Sequence, residues 1–434
     1  MKKLLTFLFP CLLILWFFVA CGQEAPAELT SVSAYKSKGS YTDLGAEQLS
    51  WEGLDALPRK YSGMSTDEAR QAVIDFWYYV KTALWIPDAR YDIYKDDELV
   101  EGQRVWKRCV EQGMVYAGLP YVSSATGSIY RLMDYMDAST GVVNINAAGV
   151  YPKQLGGMCS SGCYWAWSRV MNSADYLWCR DSVVSRGYLR VGPYTYDDSW
   201  RYFIEAGDQG TDEICRENGE QVMFQSYAAM DIADGFITLW EKNGHTLMCS
   251  IPPHVEYFPD GTIDGDNSFM HITDQGAIWQ TATSPNGISF QYESAKDKKF
   301  TFRQLYNDAK IPFTFGELIG TDPIEETEVT CTHTGETITK TEIFKTTVTS
   351  NYNVSDVYVT IHDSKGNEVW KHAVRVTRPS TREIKISKVA DRTVTWGDLD
   401  TLDPAKNDYT VTIELQLGTG EKPVAWQGKL APNS

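Results

Sequence analysis

"GGMCSSGCYWAWSRV", residues Gly156–Val170, sets two cysteines four positions apart between a glycine-rich turn and an aromatic stretch that reads as a buried helix. A disulfide, a metal site, packed apolar thiols or a nucleophile would each fit that spacing. The helix start argues for the last of these. A cysteine there meets the positive end of the helix dipole and free N–H groups, and both lower its pKa. Cys159 therefore stands where a thiolate is favoured. Cys163, one helical turn further in, is expected as a packed core thiol.

A thiolate nucleophile needs a base, and the base needs an orienting group. Of the six histidines, His245 stands out because it opens a strand directly after the "KNG" turn at Lys242–Gly244. If the chain folds back at the Asp260–Gly261 turn, residues 274–276 come to lie beside His245. Strand parity then puts His245, Leu247, Cys249 and Ile251 on one face, with Met270, Ile272 and Asp274 as the matching set. Asp274 is the expected orienter, with Gln275 in reserve. A one-residue bulge at Pro252–Pro253 would reverse that choice. His254 is the understudy for the base.

These residues carry a resemblance. "GLPY" (Gly118–Tyr121), "CSSG" (Cys159–Gly162) at a helix start and "ADGFITL…GHTLM" (Ala233–Met248) resemble the NlpC-type cell-wall cysteine peptidases. The later "DGTI…ITDQ" is similar to the related CHAP amidohydrolases. The resemblance implies an α+β, papain-like domain in which helices pack on an antiparallel sheet. It implies Cys159 as nucleophile, His245 as general base and then acid, and Asp274 or Gln275 as orienter, with Tyr121, Ser160 and Tyr164 binding substrate. The implied activity is hydrolysis of amide bonds, foremost in peptidoglycan stem peptides, with no cofactor. Two alternatives stand beside it. One is an inactive domain of the same type that holds a cell-wall glycan, a peptide or a protein partner through Tyr164, Trp165 and Trp167 or the C-terminal sheets. The other is a transglutaminase-like acyltransferase.

The N-terminus agrees with a place at the cell envelope. Lys2 and Lys3 precede the apolar run "LLTFLFPCLLILWFFVA", which ends at "FVAC". That pattern reads as an export signal, and its end resembles a bacterial lipobox. Cys21 is thus the expected lipidation site and the expected membrane anchor. Loss of Lys2 and Lys3 takes the net charge from −17 to about −19. Such acidity, with no basic stripe, argues against nucleic acid as a partner. After Cys21 there remain Cys109, Cys159, Cys163, Cys179, Cys215, Cys249 and Cys331, an odd set that leaves at least one thiol without an intrachain partner. No second ligand pair accompanies the C-x₃-C, so no metal site is expected. Asp260, Asp264 and Asp266 are expected to be a solvated turn.

The 434 residues divide by pattern into a signal (1–20), a tether (21–59), the papain-like domain with insertions (60–320) and an all-β, immunoglobulin-like sandwich (325–434). Ser65 and Glu68 form a capping box ahead of Ala69, Val73, Phe76, Val80 and Leu84, with Pro87 closing the helix. Further helices are expected over Gly102–Gly118, Ser161–Met171 and Gln221–Met230.

Overall fold

The computed structural model describes residues 31, 47–94, 108–120, 127–144, 156–172, 188–200, 206–238, 245–275, 279–283, 289–293, 297–376, 381–389 and 392–432. Tyr121, Cys21 and the Lys242–Gly244 turn lie outside them. The protein is mostly β, with four sheets of three to six strands and few, mainly short helices among the described residues. This corrects the expected architecture, a papain-like α+β domain followed by an immunoglobulin-like sandwich. Segments expected as helix are strand, and nine strands after residue 328 divide into sheets of three and six.

The clearest such segment is Gly102–Gly118. In place of a helix it contains the strands Arg108–Val110 and Val115–Ala117, with Gly113 at φ 67° between them. Val115–Ala117 joins a five-stranded sheet, antiparallel to Leu84–Pro87 and parallel to Ser289–Glu293. Local helix propensity lost there to pairing on both sides in the middle of a sheet, where residues 115–117 are all buried. Pro87 is likewise not a helix stop but the last residue of a strand.

The helix Thr66–Thr82 does follow the sequence pattern. Ser65 Oγ accepts the Glu68 N–H at 3.3 Å, and Glu68 Oε2 accepts the Ser65 N–H at 2.9 Å. Such a cap is worth about 1 kcal/mol. Ala69, Val73, Phe76 and Val80 are buried on its inner face.

A six-stranded sheet positions the residues of interest. Its strands run in the order Lys298–Thr301, Phe269–Thr273, His245–His254, Gly235–Thr238, Ile311–Thr314 and Leu189–Arg190. The helix Cys159–Trp167 packs on this sheet, and all nine of its residues are buried. Gly162 sets the depth of that packing. A Cβ there would lie 2.4 Å from the Trp77 ring and 3.1 Å from Gln275 Cβ. Gly162→Ala is expected to cost about 1–3 kcal/mol of stability through overpacking. Chemical denaturation measures this, and an unchanged midpoint would mean the helix has room that the contacts deny.

Two hydrophobic cores result, one drawing on residues from Leu49 to Ile324 and the other from Ile338 to Leu430. A buried ionic seam joins them. Arg131 Nε meets Asp356 Oδ1 at 3.0 Å, Arg375 Nη1 meets the same oxygen at 3.2 Å, and Arg375 also pairs with Asp134. These four side chains are 3% exposed or less. Beside the seam, the Gly418–Gly420 turn sits against the end of the Cys159–Trp167 helix. A Cβ on Gly418 would lie 2.5 Å from Ser168 Cβ, and one on Gly420 only 1.8 Å from Arg169 Nη1.

Candidate active site

Cys159 is the first residue of its helix, after an extended Met158 whose N–H donates to Ser161 Oγ at 2.8 Å. The cysteine is 6% exposed. The His245 ring and the backbone N–H of Thr246 both lie near enough to act on its sulfur. Burial alone would push this thiol up. The charge of His245 and these two donors outweigh it and hold the pKa below the ordinary thiol value.

His245 opens its strand opposite Thr238. Its Nε2 is hydrogen-bonded to Asp274 Oδ2. Burial would lower the imidazole pKa, but the Cys159 thiolate and the Asp274 carboxylate raise it well above the ordinary histidine value. Asp274 is itself held low. Burial raises it, while His245 first and then Lys81 and Lys298 lower it more. An acidified thiol, a more basic imidazole and a carboxylate thus stand in line. The His245 side chain is 27% exposed and so opens the line to solvent.

Strand register explains why Asp274 has this place. Met248 is opposite Thr273 and Cys249 opposite Ile272, while towards the tip the pairing slips between Cys249 and Ile251, between Ile251 and His254, and again before the Tyr257–Ile263 pair. The local Met248–Thr273 register, continued to His245, puts Asp274 on the His245 face as a diagonal neighbour. Gln275 turns the other way and is fully buried. It accepts from Lys81 Nζ at 2.9 Å and donates to Leu119 O at 2.6 Å, which ties the Thr66–Thr82 helix to the 118–120 segment. It does not orient His245.

Two expected substrate contacts are corrected. Tyr164 is 2% exposed and Ser160 3%, because the whole helix is enclosed, so neither lines an open groove. Trp165 and Trp167 are core residues as well, donating to Gly127 O at 3.0 Å and Ala233 O at 2.7 Å. Tyr121 falls outside the described residues. Cys163 is fully buried, its thiol directed to Thr246 O at 3.8 Å, and burial raises its pKa well above the ordinary value. Among the described residues, Cys159, Cys163, Cys215, Cys249 and Cys331 are free thiols.

His254 pairs with Glu256 at 2.7 Å near the far end of its strand, nine positions from His245, and takes no part in the line. Asp260 and Asp264 accept hydrogen bonds from their own turns, and no cluster suited to a metal occurs among the described residues. A cavity of about 390 Å³ lies at the hairpin tip, bounded by Gln221, Gln225, Tyr257 and Ile263, and contains none of the site residues.

One residue near the site had not been singled out from the sequence. Lys310 is 7% exposed; burial lowers the pKa of its ammonium, against the charges of Asp308, Asp274 and Cys159 in that order. Its signal was a lysine directly before a short apolar strand, "KIPFT", a pattern with no motif to mark it.

Comparison with protein-family models, curated proteins and solved structures finds no match for this chain.

Proposed function

We propose that the protein is a cysteine hydrolase of amide bonds, acting on peptides of the peptidoglycan stem type. The observation that carries this reading is the line Cys159–His245–Asp274, with His245 hydrogen-bonded to Asp274 and its charge acting on the Cys159 thiol. The Cys159 thiolate attacks the amide carbonyl carbon, and the carbonyl oxygen takes the negative charge. The N–H of Cys159, among the leading amides of its helix that have no intrahelical partner, is positioned to stabilise that oxyanion. His245 gives its proton to the departing amine, leaving a thioester on Cys159. It then takes a proton from water, whose oxygen attacks the thioester and releases the acid and the thiolate. Asp274 keeps the ring oriented and its charge balanced throughout.

The cell-wall choice rests on the residue likeness of "CSSG" and "GHTLM" and on the export-type start of the chain. Cys21 would anchor the enzyme to the membrane.

The test is release of new amines from purified stem-peptide fragments. Cys159→Ala is expected to abolish it, while Cys163→Ala retains it and costs about 1 kcal/mol of packing energy. Undiminished hydrolysis by Cys159→Ala would end this reading.

A further inference from the structure

The sheet places a buried lysine level with the catalytic histidine. Ile311 is opposite Ile237, and Thr238 is opposite His245, so Lys310 continues one row across three strands: Lys310, Thr238, His245. Residues directly opposite one another present side chains to the same face of a sheet. Among the described residues, no carboxylate comes within ion-pair distance of Lys310, and the buried hydroxyl of Thr238 makes no hydrogen bond. Burying an ammonium without a direct partner is costly unless something negative comes to it. Asp308 first, then Asp274 and Cys159, act on it by charge without pairing with it, Lys298 opposes them, and burial outweighs their support.

We propose that Lys310 is a specificity residue that binds a carboxylate of the substrate close to the scissile amide, with Thr238 as a second donor. This rests on Cys159 being the nucleophile, and it narrows the substrate to peptide amides that carry an acidic group beside the bond cut. A lysine ammonium is a point-charge donor suited to one carboxylate oxygen. A charge-assisted hydrogen bond in a buried setting discriminates by about 10- to 100-fold.

The experiment compares alkylation of Cys159 by iodoacetate and by the neutral, nearly isosteric iodoacetamide, in the full chain. The ratio of the two rates cancels any change in thiolate population, which affects both reagents alike. Lys310→Met is expected to lower the iodoacetate-to-iodoacetamide ratio by about tenfold or more, with the drop persisting in about 0.5 M KCl because the contact is shielded from salt. Lys310→Arg should keep most of the ratio. Lys310→Gln gives the same readout if the methionine variant fails to fold.

A smaller drop, or one that salt abolishes, would mean that Lys310 only balances the charge of Asp274, and would overturn the proposal. Failure of either reagent to label Cys159 in the native protein would instead overturn the nucleophile reading, and this proposal with it.

Discussion

His245→Ala slows alkylation of Cys159 at pH 6.5 by about a hundredfold. In the native protein the histidine ring and its charge hold the thiol below its ordinary value against the opposing effect of burial. Without the ring, burial remains, and the pKa returns to the ordinary ~8.5 or above, where about 1% of the sulfur is thiolate at pH 6.5. The native labelling rate should therefore be flat across neutral pH. It should change only where the thiolate is protonated in acid or the imidazolium loses its proton at high pH. The variant rate should instead climb steadily through pH 8. Amide hydrolysis should fall further, by about 10³-fold or more, since the proton donor to the leaving amine is also gone. Rates from mass spectrometry across pH decide the matter. Parallel profiles for the two proteins would show that His245 does not set the thiolate.

Asp356→Ala removes about 3–5 kcal/mol of stability, the usual result of deleting one partner from a buried ion cluster. Arg375 would keep Asp134, which Lys371 also meets at 3.4 Å, while Arg131 would lose its carboxylate and be left on the carbonyls of Ser355 at 2.9 Å and Val376 at 2.7 Å. Against a typical total of about 5–15 kcal/mol, that loss is large. The same carboxylate sets a pH window. Burial raises its pKa, but the two arginines bring it below the ordinary value. Its contribution is therefore complete above the unfolded carboxylate range near pH 4, and is lost as the pH falls through the depressed folded value. Urea midpoints for the native chain and the variant should converge as the pH is lowered. A variant within about 1 kcal/mol of native at pH 7 would mean that the seam relaxes or admits water. The double change Arg131→Met with Asp356→Leu should be milder than Asp356→Ala, since no unmatched charge pair is then left at that point.

What the sequence revealed depended on the range of each signal. The Ser65–Glu68 box and the apolar spacing behind it are local, and the helix stands at Thr66–Thr82. Cys159 at a helix start and His245 at a strand start are local too. Asp274 needed only strand parity, and the local Met248–Thr273 register gives it the His245 face although the pairing is irregular nearer the tip. Longer-range facts were hidden. Val115–Ala117 becomes a strand because Leu84–Pro87 and Ser289–Glu293 flank it, and nothing within the segment announces them. Tyr164 and Trp165 look from sequence like a stacking surface, yet the enclosed helix turns them inward against each other, with ring centres 5.0 Å apart. The partners Arg131 and Asp356 stand 225 positions apart, with no pattern to connect them. The papain-like expectation came from short motifs around three residues, and motifs of that length specify a site more closely than the sheets that carry it.

The turn at Gly418–Gly420 has a consequence for the order in which the protein matures. A ribosome makes the Cys159 helix long before it makes the turn that closes against Ser168 and Arg169. Every residue of the Cys159–His245–Asp274 line has been synthesised well before Gly418, yet the far end of the Cys159 helix still lacks its seat. Domains tend to fold in the order they emerge, but here an early helix depends for its final packing on nearly the last strands. A nascent chain, or one cut short after Ile324, carries the whole reactive line on a helix without its final support. Packing of that helix end thus waits on a segment made about 250 residues later.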